Sequence, residues 1–228
     1  MDVPFLTDTF LALVSGVPLT IQLTVLSLAA GALLAAGLVA MQLSRFPLLA
    51  LIAKTYVFVF RGSPLLVQIY LIYFGLGQFP ALRASLLWPF LREPYWCALL
   101  ALALNEAAYS SEIMRGALRS VPSGHIEAGK ACGMSSFLLL RRIVVPTALR
   151  NSLPACANEM IVMVKATALV STITLLDITG IAAQIVSDTY RSIEVFLMAG
   201  AIYLAINFAI TNAVSFVEYK LNHHLREA

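Results

Sequence analysis

The chain has 228 residues, of which 60% are hydrophobic and 12% are charged. Soluble domains carry about 25% charged residues, so this composition excludes a soluble globular protein and predicts an integral membrane protein. The formal net charge is small, +3, and we expect no nucleic-acid partner.

Long apolar runs predict five membrane helices. A bilayer core about 30 Å thick requires roughly 20 apolar residues per helix. Five runs are long enough: about 15–40, 50–77, 95–116, 155–176 and 195–216. They are continuous rather than alternating, as the strands of a barrel would be. The sequence therefore predicts an all-α membrane protein, and residues 1–228 form a single domain because no linker divides them.

The distribution of basic residues predicts the orientation. The N-terminal segment has Asp2 and Asp8 but none of the basic residues that precede a cleavable signal peptide, and the first apolar run is too long for one. Cytoplasmic loops are enriched in Lys and Arg. With the N-terminus outside, ten of the 15 basic residues lie in the cytoplasm: Arg45, Lys54, Arg115, Arg119, Lys130, Arg141, Arg142, Arg150, Lys220 and Arg226. The C-terminus is then cytoplasmic.

The longest predicted cytoplasmic loop, about 117–150, contains a recognisable motif. It runs Glu-Ala-Gly, three residues, Gly, nine residues, Ile, one residue, Val-Pro. This pattern resembles the "EAA" loop of bacterial ABC-importer permeases. Five positions are in register: Glu127, Ala128, Gly133, Ile143 and Pro146. Gly129 and Val145 depart from the usual Ala and Leu, but both replacements are small or apolar.

Within this loop we expect two short helices, Ile126–Ala131 and Ser135–Val144, with a turn at Gly133. The second could lie on the membrane surface as an amphipathic helix or insert into a groove on a partner. The resemblance favours docking onto a cytoplasmic ATPase. Gly124–Lys130 fits the start of a phosphate-binding loop, but Ala131 follows where Ser or Thr would hold magnesium. ATP is therefore expected to bind another subunit.

A second motif interrupts the second span. Arg61–Gln68 places Gly and Pro within a helix, which lipid does not tolerate unless protein or a water-filled cavity meets the freed backbone groups. The run resembles the signature of the polar-amino-acid subgroup of these permeases, with Ser63 in place of Thr. Alternatively it is a packing kink whose Arg61 extends toward the cytoplasm.

The third span contains ionisable residues. Asn105, Tyr109 and Glu112 share a helical face. Glu106 lies deeper, and a carboxylate at mid-membrane costs roughly 2.5–3.5 kcal/mol on the insertion scale, which makes it a functional candidate. We expect Glu112 to pair with a neighbouring arginine, Arg115 or Arg119.

The fourth span, predicted to begin after Pro154, contains Glu159 and Lys165 on different helical faces. A zwitterionic amino acid presents an ammonium group, which Glu159 or Glu106 could bind. Its carboxylate could be bound by Asn105, Thr167 or Lys165. Alternatively Glu106 and Lys165 pair with each other and fasten two spans. The full set of candidate substrate-path residues is Asn105, Glu106, Glu159, Lys165, Thr167, Ser63 and Gln68.

The resemblance implies the membrane subunit of an amino-acid importer of type I. Its partners would be two cytoplasmic ATPases, a second permease (identical or paralogous) and an extracytoplasmic binding protein, in the bacterial inner membrane. This subunit would be a transporter component rather than an enzyme, moving substrate by alternating access. No cofactor or metal is expected, because Cys97, Cys132 and Cys156 lack ligand spacing and His125, His223 and His224 have no metal-binding partners.

Two other classes of function remain open: an ion-coupled transporter acting alone, and a membrane anchor for a cytoplasmic partner. The first conflicts with the small number of spans and the absence of inverted repeats. The second leaves the intramembrane charges without a purpose. The acids Glu106, Glu159 and Asp188 favour a cationic cargo, such as arginine, histidine or an opine-like derivative.

Overall fold

The computed structural model describes residues 3–222, and every regular element in that range is helical. The all-α prediction is therefore confirmed for this part of the chain. Asp2, His223, His224 and Arg226, which entered the sequence-based predictions, lie outside the described residues.

Two consecutive helices open the chain: α1 (Val3–Ser15) and α2 (Val17–Gln42), separated only by Gly16. The second corresponds to the first predicted span, whereas α1 is absent from the predicted spans. A Cβ atom at Gly16 would lie 2.7 Å from the backbone nitrogen of Ile178. Glycine is therefore required where this junction packs against distant backbone.

The second predicted span is broken. Helices α3 (Pro47–Gly62) and α4 (Leu65–Tyr70) belong to segments that meet at an angle of 106°. Between them Ser63 and Pro64 are extended, because proline disfavours a helical conformation in the residue before it. The predicted interruption is confirmed, but no single straight helix spans 50–77. A π turn and a 3₁₀ turn continue α4 to Gln78.

The predicted third span is a long helix that packs closely against α2. Two short helices, α5 (Pro80–Arg83) and α6 (Trp88–Leu91), precede this helix, α7 (Pro94–Arg119). A Cβ atom at Gly31 of α2 would lie 2.3 Å from Cγ of Glu106. The close approach of the two helices thus depends on a small residue, as is common between membrane helices.

The loop region and the fourth span form a nearly unbroken helical path. Its elements are α8 (Ser123–Ala131), α9 (Ser136–Leu139), a π segment (Leu140–Val144), α10 (Val145–Ala166) and a 3₁₀ segment (Thr167–Ile173). Helical structure is continuous from Ser136 to Ile173. Two expectations about the helices were therefore wrong: the loop's second helix is not separate, and the helix of the fourth span does not begin after Pro154.

The positions of the prolines explain both corrections. Pro146 lies at the start of α10, directly after the π segment, where the regular helical hydrogen bonding is already interrupted and the missing N–H group of proline is accommodated. Pro154 lies inside α10, and a membrane helix tolerates proline when neighbouring groups satisfy the freed carbonyl.

The last two helices, α11 (Ile178–Thr189) and α12 (Ser192–Asn222), pack with α1. The predicted fifth span corresponds to α12, whereas α11 was not predicted. Asp177 begins α11: its Oδ1 accepts the Gly180 N–H at 2.8 Å, and its Oδ2 accepts the Tyr203 hydroxyl at 3.0 Å. This fully buried carboxyl group joins α11 to α12.

Three helical segments in the described part are long and apolar enough to cross a membrane: Val3–Gln42, Ser136–Ile173 and Ser192–Lys220. The bent pair of α3 and α4 adds a fourth. Large apolar side chains on α12 remain exposed, Leu204 at 71% and Phe208 at 68%, as expected for a surface that faces lipid. The protein is therefore a multi-pass membrane protein.

Candidate functional site

A cavity of about 560 Å³ opens where the break between α3 and α4 faces α7 and α10. Its polar wall is formed by Arg61, Ser63, Asn105, Tyr109, Asn158 and Glu159. Its apolar wall includes Leu65, Val162 and Met163. Polar groups from three separate helices thus converge in a largely apolar surrounding, which is typical of a small-molecule site.

Glu159 supplies the negative charge of this cavity. It is 8% exposed and interacts electrostatically with Glu106, which lies behind the cavity wall and is 1% exposed. Oε1 of Glu106 accepts a hydrogen bond from the Ser110 hydroxyl, whereas Oε2 has no hydrogen-bond partner. Two carboxyl groups this close, with little solvent around them, share a proton, so the pair offers one negative charge to a cation in the cavity.

Gln68 and Asn105 close the helix break. Nε2 of Gln68 donates to the carbonyl of Phe60 at 2.8 Å and to the hydroxyl of Ser63 at 2.9 Å. Oε1 of Gln68 accepts from Nδ2 of Asn105 at 3.0 Å. Protein side chains therefore meet the backbone groups that the break releases, as the sequence-based argument required.

The structure brings only part of the predicted substrate path together. Ser63, Asn105 and Glu159 line the cavity, whereas Glu106 and Gln68 lie behind its wall. The two remaining predicted residues, Thr167 and Lys165, do not line the cavity.

Thr167 and Lys165 do not face the cavity. Thr167 is buried and donates its hydroxyl to the Val164 carbonyl at 2.8 Å. Lys165 is exposed, and within residues 3–222 it forms no ion pair. The alternative in which Glu106 and Lys165 pair is therefore wrong. Asp188 is also exposed, on α11, and does not line the cavity.

Arg61, Tyr109 and Asn158 belong to the cavity but were missing from the predicted set. The Arg61 guanidinium carbon lies 5.1 Å from the centre of the Tyr109 ring. From the sequence, Arg61 is assigned either to the subgroup motif or to a side chain that extends toward the cytoplasm. Asn158 precedes Glu159 on α10, and its position one turn before Val162 is the signal that could have identified it.

A second cavity, of about 620 Å³, adjoins the first and is basic. It is lined by Lys54 of α3 and by Arg115 and Arg119 of α7, and it shares Arg61 and Tyr109 with the first cavity. Glu112, also on its wall, pairs with Arg115, which confirms the expected ion pair.

The predicted coupling motif folds into one surface unit. Glu127, Ala128 and Gly133 are exposed, and Ile143 and Pro146 are half-buried. Gly133 has φ of +74° with open space around its Cβ position, so the expected turn is confirmed and favours glycine for backbone reasons.

The close contact at Gly129 explains a departure from the motif. A Cβ atom there would lie 2.4 Å from Cδ1 of Leu139 and 3.0 Å from Cδ1 of Ile143. The glycine therefore lets α8 pack directly against the helical path that leads into α10. The apolar Ile143 of the motif thereby contacts the helix that contains Glu127.

Comparison with known families identifies the chain. Residues 27–223 match the family described as "Binding-protein-dependent transport system inner membrane component". The chain belongs to this permease family. Membership confirms the prediction of a permease subunit of an ATP-driven ABC importer and disfavours the lone transporter and the membrane anchor.

Named relatives of this permease cover nearly its full length. It is 59% identical to an octopine transport system permease protein of Rhizobium meliloti, over 96% of this chain and 90% of the relative. It is 47% identical to a nopaline transport system permease protein of Agrobacterium fabrum, over 99% and 94%. An arginine ABC transporter permease protein of Escherichia coli K12 is 42% identical, over 76% and 78%.

Solved structures confirm the fold of the permease. A chain of an amino acid ABC transporter, crystallised with histidines, superposes with a TM-score of 0.86 at 34% identity, covering 96% of this chain and 99% of that one. A chain of the inward-facing methionine transporter MetNI gives a TM-score of 0.75 at 18% identity, over 92% and 96%. The second likeness shows the fold alone.

Proposed function

We propose that this permease transports amino acids of the arginine type that have a cationic guanidinium group, including opines. The observation that carries the proposal is the cavity beside the helix break, where Glu159 lines the wall and Glu106 lies behind it. Cationic groups that enter this cavity gain a charge-assisted hydrogen bond with a carboxylate. The amides of Asn105 and Asn158 offer further donors and acceptors.

The relatives support the same class of cargo. Their names specify octopine, nopaline and arginine. Octopine and nopaline are arginine derivatives that keep the guanidinium group and add carboxylates. The cavity beside the helix break would therefore bind all three compounds through the guanidinium group that they share.

The transmembrane arrangement is also part of the proposal. We propose one membrane domain, residues 1–228, with five spans in the bacterial inner membrane. α7 would be the third span, although Asn105, Glu106 and the polar residues after them make it less apolar than the segments already named as apolar enough to cross a membrane. An N-terminus outside and a cytoplasmic C-terminus satisfy the bias of Lys and Arg.

We further propose that the loop at about 117–150 couples this permease to ATP hydrolysis. Its partners would be two cytoplasmic ATPases, a second permease copy or paralogue, and an extracytoplasmic binding protein. Glu127, Ala128 and Gly133 would contact the ATPase, with Ile143 and Pro146 supporting the loop. Helical structure continues from Ser136 into α10, so a displacement of the loop would move the helix that contains Glu159.

The test is substrate-stimulated ATP hydrolysis by the reconstituted complex with its binding protein. The panel would contain arginine, octopine, nopaline and histidine, with glutamate as an anionic control. We expect stimulation by the guanidinium compounds and a loss of about 10-fold or more in Glu159→Gln, because hydrogen bonds to charged groups contribute about 1.5–3 kcal/mol.

The matched control is Glu194→Gln, which removes an exposed acid in the first turn of α12. We expect this variant to behave as the parent does. Equal stimulation by glutamate and arginine, or an unaffected Glu159→Gln variant, would contradict the proposed cargo.

A further inference from the structure

Arg61 occupies the junction between the two cavities. It lines both the cavity beside the helix break and the basic cavity, and its guanidinium lies over the Tyr109 ring. It is close enough to Glu112 and Glu159 to interact with both electrostatically. Within residues 3–222, however, no ion pair or hydrogen bond joins Arg61 to either carboxylate.

Two opposite charges therefore line the cavity beside the helix break without forming an ion pair. Arg61 and Glu159 are its only charged lining residues in the described part of the chain, and the rest of the polar wall is neutral. Arginine presents five N–H donors in a planar fork that matches a carboxylate. The space between Arg61 and Glu159 is thus complementary to a ligand with a cationic end and an anionic end.

We infer that Arg61 is the carboxylate-binding residue of the substrate cavity and that it selects compounds that keep this group. The inference deepens the proposed function and rests on it: Glu159 binds the guanidinium, and Arg61 binds the carboxylate at the other end. Arg61 is thereby a specificity-determining residue rather than a side chain that only packs at the membrane surface.

The basic cavity extends this preference. Beyond Arg61 lie Lys54, Arg115 and Arg119, and of these only Arg115 has a carboxylate partner among the described residues. A substrate whose carboxylate contacts Arg61 therefore points that end toward further positive charge. Opines have additional carboxylates, so their electrostatic attraction to these basic residues is stronger than that of arginine.

The experiment compares ligands that share the guanidinium group and differ in the number of carboxylates. The purified complex of permease and ATPase would be used without its binding protein, because the binding protein selects ligands by itself. L-arginine, agmatine and octopine would be titrated, with dissociation constants measured by calorimetry. Agmatine keeps the guanidinium and an amine but has no carboxylate.

For the parent we expect arginine and octopine to bind about 10- to 100-fold more tightly than agmatine, since a charge-assisted hydrogen bond accounts for a factor of this size. Arg61→Gln should weaken the binding of arginine and octopine until their dissociation constants match that of agmatine, and it should leave the dissociation constant of agmatine unchanged. Arg61→Lys should restore part of the difference, because it keeps the charge but not the planar fork.

Two controls separate binding from folding. Arg83→Gln removes an arginine on α5 that lines neither cavity, and should change no dissociation constant. The ligand-free Tm of each variant shows whether it is folded. If Arg61→Gln unfolds the complex, the test depends on Arg61→Lys. This variant must then reduce the ratio between the dissociation constants of agmatine and arginine.

The outcomes distinguish this inference from the proposed function. The role of Arg61 would be overturned if the parent bound arginine and agmatine equally, or if Arg61→Gln lowered the affinity for both ligands equally. Neither result would contradict the proposed cargo. A parent complex that binds none of the three compounds would overturn both.

Discussion

At the scale of single residues, the polar side chains beside the helix break have two different tasks. Ser63, Asn105 and Glu159 face the cavity, whereas Gln68 faces the broken backbone. Gln68 is 6% exposed, and its amide forms hydrogen bonds at both ends. We therefore assign Gln68 to holding the break in place rather than to contacting the substrate.

This assignment predicts the effect of Gln68→Leu. The substitution leaves the Phe60 carbonyl with only the longer hydrogen bond from Asn105 at 3.3 Å and removes the Gln68 oxygen that accepts from Asn105. The loss of these buried hydrogen bonds costs about 1–3 kcal/mol. We expect a clear fall in the Tm of the purified permease. The control is Gln78→Leu, at an exposed position, which should change stability by less than about 0.5 kcal/mol. Lost transport at an unchanged Tm would instead indicate substrate contact.

At the scale of elements, the loop and α10 behave as one helical path. The π segment joins α9 to α10 without a break, and Gly133 is the one sharp turn between α8 and that path. A rigid connection of this kind can transmit a displacement from the surface to the membrane interior. The turn itself depends on the positive φ of Gly133.

Two glycines of this loop provide a matched comparison. Gly133 and Gly124 both have open space around the Cβ position, but only Gly133 has a positive φ. Gly133→Ala should therefore destabilise the turn by about 1–2 kcal/mol, whereas Gly124→Ala should not. Hydrogen exchange across 128–139 and substrate-stimulated ATP hydrolysis would check this. Faster exchange with intact coupling would contradict the loop's proposed role.

At the scale of the whole molecule, one buried carboxyl group fastens two groups of helices. Asp177 caps α11 and accepts the hydroxyl of Tyr203 on α12, and the same region packs against Gly16 between α1 and α2. Asp177 thereby connects α11 to α12 next to the junction of α1 and α2.

Removal of this carboxyl group should loosen the whole assembly. Asp177→Ala abolishes the helix cap, which alone contributes about 0.5–2 kcal/mol. The Tyr203 hydroxyl keeps its hydrogen bond with the Thr179 hydroxyl at 3.0 Å. We expect a lower Tm and faster hydrogen exchange in α11. Asp188→Asn, at an exposed position on the same helix, should leave both unchanged; an equal effect of the two variants would contradict the capping role.

Several elements were predictable because their signals are local. The apolar runs identified α2, α7 and α12, the Gly-Ser-Pro sequence identified the break, and Gly133 identified the turn. The start of α10 was not predictable, because Pro146 and Pro154 resemble helix breakers until neighbouring helices are present. α11 was missed for a similar reason: it is short and buried against other elements rather than against lipid.

The sequence by itself determined that this chain is a helical membrane protein, and its motifs indicated the permease family, because composition and short spacings are local properties. Only the tertiary structure decided which side chains share a cavity. Arg61 and Glu159 line one cavity although they lie far apart in the sequence, whereas Lys165, close to Glu159 in sequence, is exposed and does not line it. The direction of a side chain depends on the rotation of each helix against its neighbours, and that rotation is set by packing between distant segments such as Gly31 and Glu106.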